Sequence, residues 1–150
     1  MSATELTRRV DVQAPPETVF QAAMDWERQH EWILGTTVRI VRGDGRSVGS
    51  EIVAVTGVRG IGLTDRMRIT MWEPPLRCEV RHLGIIVRGA GIFEVRPCGR
   101  DGATFEWTER LELPLGTLGV VGWTAASPLF GWGLQRSLDR FVDFCRTYPR

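Results

Sequence analysis

Four polar side chains stand where the surrounding pattern asks for apolar ones: Arg8, Asp65, His82 and Glu109. Each shares the parity of an apolar strand face, which directs it toward the interior of a sheet protein. An aspartate beside a histidine favours imidazolium and can orient it as an acid or base. A lone glutamate among apolar side chains suits a pocket acid or an anchor for a ligand. Asp65, His82 and Glu109 are therefore the candidate catalytic residues. Simpler roles fit as well. Asp65 and His82 could end a strand in solvent or form a structural pair. A bulge could turn Glu109 outward, or it could pair with Arg8. Arg8 itself could snorkel, pair with a carboxylate or hold a ligand anion.

Register decides which of these residues meet. If Trp72–Pro75 links two strands, pairing Met71 with Leu76 also pairs Ile69 with Cys78 and Met67 with Val80. The same register sets Asp65 opposite His82, with Cβ atoms about 4.5–5.5 Å apart. A turn at 98–102 places Phe105 opposite Val95, Trp107 opposite Phe93 and Glu109 opposite Gly91. Gly89 and Gly91 then leave the inner face bare beside Glu109.

The elements that must position these residues are legible from periodicity. Residues 5–13 alternate as a strand with one buried face. Pro15-Pro16 stops it, and Pro16 with Glu17 suits the start of a short helix over about 16–25. A second helical turn covers about 26–33 and carries His30, which suits the surface. Six further strands follow between 36 and 113, separated by Gly43-Asp44-Gly45, Arg59-Gly60-Ile61-Gly62, Glu73-Pro74-Pro75 and Gly99–Gly102. Residues 114–126 are apolar and glycine-rich without clear period. Ser127-Pro128 then offers an N-cap and a first-turn proline. Phe130, Leu134, Leu138, Phe141 and Cys145 recur at spacings of 3 and 4, predicting an amphipathic helix over about 128–147.

Composition narrows the function. The chain has 150 residues, 43% hydrophobic and 25% charged, which suits a single globular domain over 1–150. Nineteen basic against eighteen acidic side chains argue against nucleic acid as a partner. All the basic residues are Arg, and without Lys there is no lysine Schiff base or phosphate-loop lysine. Cys78, Cys98 and Cys145 lack disulfide or zinc-site spacing, so free thiols and no metal site are expected. No apolar run reaches about 18 residues, so no transmembrane helix is expected. The N-terminus carries Glu5, Arg8 and Arg9 and no secretory block; a cytoplasmic location is expected.

Antiparallel strands with one apolar face need a cover, and the long helix is the large apolar element available. The expected fold is α+β: a seven-stranded curved antiparallel sheet gripping a long C-terminal helix, with two short helices after the first strand. One helical stripe cannot fill so large a sheet, so a cavity is expected between them. Its walls should include Arg8, Met67 and Val80, then Gly89, Gly91, Phe93 and Trp107. Leu134 and Leu138 of the helix should face it, with Trp123 or Trp132 near the mouth. Residues 114–126 would then act as a lid, or pack onto the helix.

APPETVFQAAMDWERQHEW, GDGRSVGSE, ITMWEPPLR, GIFEVRPCGRDGATFEWTERLEL and the final helix follow one another as in the START-like, helix-grip superfamily. Over about residues 5–147 the chain most resembles its polyketide cyclase/dehydratase branch. The resemblance implies a hydrophobic pocket between sheet and helix. The superfamily spans aromatic polyketide cyclases, lipid carriers, hormone receptors and chaperone activators, which share no catalytic motif, so it assigns no catalytic residue here.

Three functions are consistent with this reading. The first is binding of a hydrophobic or aromatic small molecule, lipid- or polyketide-like, in the cavity. The second is a cofactor-independent cyclase/dehydratase that closes and dehydrates a poly-keto chain using Asp65, His82 and Glu109. The third is a protein-interaction module using an exposed 114–126 segment. A monomer or homodimer suits each of them.

Overall fold

A computed structural model describes residues 2–58, 61–85 and 87–149. Strand β1 (Ser2–Val12) leads into helix α1 (Pro16–Ala23), which begins at the second proline, and a 3₁₀ segment (Trp26–Glu31) follows. Then come β2 (Thr36–Arg42), β3 (Glu51–Val58), β4 (Ile61–Glu73), β5 (Arg77–Leu83), β6 (Arg88–Cys98) and β7 (Gly102–Leu113). Helix α2 (Thr117–Thr147) closes the chain. All neighbouring strands are antiparallel, in the order β1-β7-β6-β5-β4-β3-β2. The long crossover from β1 through α1 puts the two edges at β1 and β2, and α2 lies along β1.

The grip has the expected chemistry. Leu134, Leu138, Phe141 and Cys145 are buried, and the Phe141 ring sits 4.8 Å from Phe105 and 4.7 Å from Trp32. Ser137 Oγ accepts the Leu34 N–H and donates to the Gly133 carbonyl, pinning the helix to the turn after the 3₁₀ segment. Phe130 departs from the expected stripe and is exposed.

Two expectations are corrected. The first concerns residues 114–126. The helix begins at Thr117, not at Pro128, and runs through that proline. Pro128 cannot donate to the Thr124 carbonyl, but both residues are exposed, where water can serve instead. The buried residues of α2 all lie from Gly131 onward. Its first half projects past the core, so it shows no burial period to read. Leu118 and Val121 are 74% and 61% exposed, whereas Trp123, Leu129 and Phe130 border the cavity, Leu129 while still 73% exposed. Trp132, the other residue expected near the mouth, points to solvent and does not border the cavity.

The second correction is the β4–β5 register. A bulge between Ile69 and Met71 shifts the pairing, so Ile69 faces Val80 and Met67 faces His82. After the bulge Trp72, not Met71, packs on the core, with its ring 5.2 Å from Phe20. Leu76 is exposed in the turn. The offset is two residues, which preserves the face each side chain occupies. Of the turn expected at Arg59-Gly60-Ile61-Gly62, the first two residues lie outside the described residues, and the last two already belong to β4. The β6–β7 register is the expected one, with Glu109 opposite Gly91.

Candidate functional site

Between the inner sheet face and α2 lies a cavity of about 590 Å³. Met67 of β4, Phe93 of β6, Trp107 of β7, and Trp123 and Leu134 of α2 line it as expected. Trp26, Gln29, Ile33, Val38 and Ala54 line it as well. The inward parity of Val38 on β2 and Ala54 on β3 was a usable signal for the last two. Trp26 and Gln29 come from the 3₁₀ segment and Ile33 from the turn after it, a stretch too short to show a period.

Asp65 and Glu109 are the acidic groups in the deeper wall, and His82 joins them. His82 Nδ1 lies 2.8 Å and 3.0 Å from the two Asp65 oxygens. His82 Nε2 lies 2.9 Å from Glu109 Oε2, and Trp107 Nε1 donates to Glu109 Oε1 at 2.9 Å. The Asp65–His82 contact is thus made diagonally, with Met67 taking the position facing His82. His82 does not border the cavity; both its nitrogens are committed to carboxylates, and its side chain is 4% exposed. Burial alone would lower the His82 pKa. The hydrogen bonds and charges of Asp65 and Glu109 outweigh it and raise the value to about 10.

The His82–Glu109 contact is the part that sequence reasoning missed. Strand β6 separates β5 from β7, so the two backbones stand about 9–10 Å apart. The side chains meet over β6 because Gly89 and Gly91 present none there. A Cβ at Gly91 would lie 3.3 Å from Glu109 Oε1 and 3.1 Å from Val80 Cγ2. The two glycines therefore do not open ligand space. Gly91 makes room for the Glu109 carboxylate. Gly89 has φ +118°, and a Cβ there would strike the Arg110 carbonyl oxygen.

The remaining expected wall residues lie off the cavity. Val80 and Leu138 are fully enclosed in the core, and the glycines sit behind Glu109. Arg8 faces Trp107 across β1–β7, donates to the Thr7 carbonyl and lays its guanidinium against Gly131 of α2. The Arg8–Glu109 pair is not formed; the Glu109 carboxylate belongs to His82 and Trp107. Among the described residues, no group of three or more His, Cys, Asp and Glu side chains could hold a metal ion. No described helix is long and apolar enough to cross a membrane.

The sequence pattern of the family described as polyketide cyclase / dehydrase and lipid transport matches residues 3–144. The chain belongs to that family. Comparison with curated proteins finds no match. Among solved structures, the protein TTHA0849 from Thermus thermophilus superposes with TM-score 0.80 at 17% identity, over 95% of this chain and 97% of the other. A START superfamily protein from Mycobacterium smegmatis gives 0.73 at 17% identity, over 93% and 97%. The Zhui aromatase/cyclase from Streptomyces sp. R1128 gives 0.71 at 14% identity, over 96% and 92%. At these identities the likenesses establish the START-like helix-grip fold.

Proposed function

We propose that this member of the family binds a hydrophobic or aromatic small molecule in the cavity between the sheet and α2. The observation that carries the reading is a 590 Å³ space, largely apolar, with Asp65 and Glu109 set together in one wall. Such a space suits a ligand of a few rings or a folded chain, and a few polar groups in one place orient it. The family description, which joins cyclases to lipid transport, supports the same class of ligand. The protein would work as a monomer or homodimer in the cytoplasm. The test is titration with N-phenyl-1-naphthylamine, a neutral apolar fluorophore, with Ala54→Phe as the filled-cavity variant. Saturable enhancement that Ala54→Phe abolishes, with its fold retained by circular dichroism, is the expected result. No enhancement with the wild-type protein would overturn the reading.

A second reading is favoured by the His82 geometry: an acid–base enzyme of the cyclase/dehydratase kind. A cavity-facing carboxylate can take a proton from carbon next to a carbonyl, and the Glu109–His82 hydrogen bond can relay one. The aromatase/cyclase among the solved neighbours makes that reaction class a natural one to test. Exchange of the α-protons of 2-tetralone in D₂O, followed by NMR, should run above the buffer rate and return to it in Asp65→Asn. Exchange at the buffer rate in wild type argues for binding alone. The exposed Leu118 and Val121 of the 114–126 segment keep the interaction-module reading as a third, tested by a change in oligomeric state in Leu118→Ser/Val121→Ser.

A further inference from the structure

We propose that the cavity selects ligands whose apolar body ends in a basic amine, with the ammonium set against Asp65 and Glu109. The inference rests on the reading of the cavity as a ligand site.

Charge balance comes first. Each ring nitrogen of His82 faces a carboxylate oxygen at 2.8–3.0 Å, and each contact requires a proton between the two atoms. Two such protons are shared by one imidazole and two carboxylates. With both on the ring, the charges are one positive and two negative. With the second on Glu109 Oε2, they are one carboxylate, one neutral imidazole and one carboxylic acid. The cluster carries one net negative charge either way, wherever the second proton resides.

Among the described residues, nothing else in the deeper wall balances that charge. The other polar side chains there, Gln29, Thr36, Thr56 and Ser137, are neutral. Gln29 donates to the Ala23 carbonyl, Thr36 and Thr56 share a hydrogen bond, and Ser137 bridges Leu34 and Gly133. Arg88, the basic residue of the lining, is paired with Glu112 at 3.5 Å. Arg8 is turned onto Gly131. An unbalanced charge beside an apolar space is costly, and a ligand cation offsets it. The carboxylates keep lone pairs for such a donor, because each oxygen accepts more than one hydrogen bond.

Aromatic rings point the same way. Trp26, Phe93, Trp107 and Trp123 line the cavity, and Trp107 is bonded to Glu109 itself. Ring faces within about 6 Å attract ammonium groups and not carboxylates. A free fatty acid or aryl acid would bring a second negative charge to the same wall and is rejected.

The experiment is displacement of N-phenyl-1-naphthylamine at pH 7 by three ligands with one body: 2-(2-naphthyl)ethylamine, 2-(2-naphthyl)ethanol and 2-naphthylacetic acid. The amine should bind more tightly than the acid by at least about tenfold, a factor that one favourable charge contact can supply, with the alcohol between. Raising salt should shrink the gap little, because the Asp65 and Glu109 carboxylates are largely buried. Asp65→Asn, which removes one negative charge, should bring amine and acid to within about threefold. Acid binding as tight as amine overturns the proposal, as does displacement by none of the three while the neutral probe binds. In both cases the ligand-site reading stands. Failure of the neutral probe itself overturns both. If Asp65→Asn does not fold, the wild-type series decides.

Discussion

Asp65 and His82 touch without facing each other across the ladder. Met67 is the residue paired with His82, and Asp65 reaches back along β4 to place an oxygen 2.8 Å from Nδ1. The imidazole is thereby held edge-on between Asp65 on one side and Glu109 on the other, with its charge inside the fold. Stability, its pH dependence and the tolerance of β6 to substitution should all bear the mark of that arrangement.

The His82 pKa of about 10 lies above the ordinary 6.5, so the folded protein keeps a proton that the unfolded chain releases. That stabilisation is complete below about pH 6.5 and is lost as pH rises through 10. Over that window the slope should approach one proton, about 1.4 kcal/mol per pH unit. Urea denaturation between pH 6 and 8, below the range in which the buried Cys78 and Cys145 thiols contribute a similar loss, should show the decline, and His82→Gln should remove it. Equal slopes in the two proteins would show that His82 is not charged in the fold.

Glu109→Gln leaves His82 Nε2 or Trp107 Nε1 facing an amide N–H instead of an oxygen. Asp65 still balances the imidazolium, so the cost is that of one buried hydrogen bond to a charged group, about 1.5–3 kcal/mol. The midpoint of thermal unfolding at pH 7 should fall by roughly 3–12 °C for a chain of this length. Glu5→Gln, which breaks a solvent-exposed pair with Arg110, should cost about 1 kcal/mol or less.

The two halves of α2 should respond differently. Leu138→Ala removes a fully buried side chain and should cost about 2–5 kcal/mol. Leu129→Ala, on the exposed half, should stay within about 0.5 kcal/mol. Chemical denaturation of both variants reads the difference directly. A large loss at Leu129 would place the first half of the helix in the stabilising core.

The glycines of β6 should separate as well. A Cβ at Gly89 strikes backbone at a positive φ, so Gly89→Ala should cost roughly 3 kcal/mol or more and disturb the β6–β7 ladder. A Cβ at Gly91 meets only side-chain atoms, so Gly91→Ala should cost about 1 kcal/mol. It should also move the Glu109 carboxylate, which the indole N–H resonance of Trp107 would report.

Much of this protein was decided along the chain. Alternation assigned the strand faces and put Asp65, His82 and Glu109 on the inner one. The tight turn at 98–102 fixed the β6–β7 register, because hairpin register follows from loop length and needs no distant contact. The spacing of Leu134, Leu138, Phe141 and Cys145 identified the gripping half of α2. Tertiary structure decided the rest. A bulge near Thr70 reset β4 against β5, and no residue type in that stretch announces a bulge. Residues 117–127 became helix although they bury no stripe for a period to reveal. His82 and Glu109 met over a strand that carries no side chain between them, a contact 27 residues apart in sequence. Local patterns report which face a side chain takes. Which side chains share that face depends on strand order, bulges and the space between sheet and helix, and those are set only when the whole sheet closes on α2.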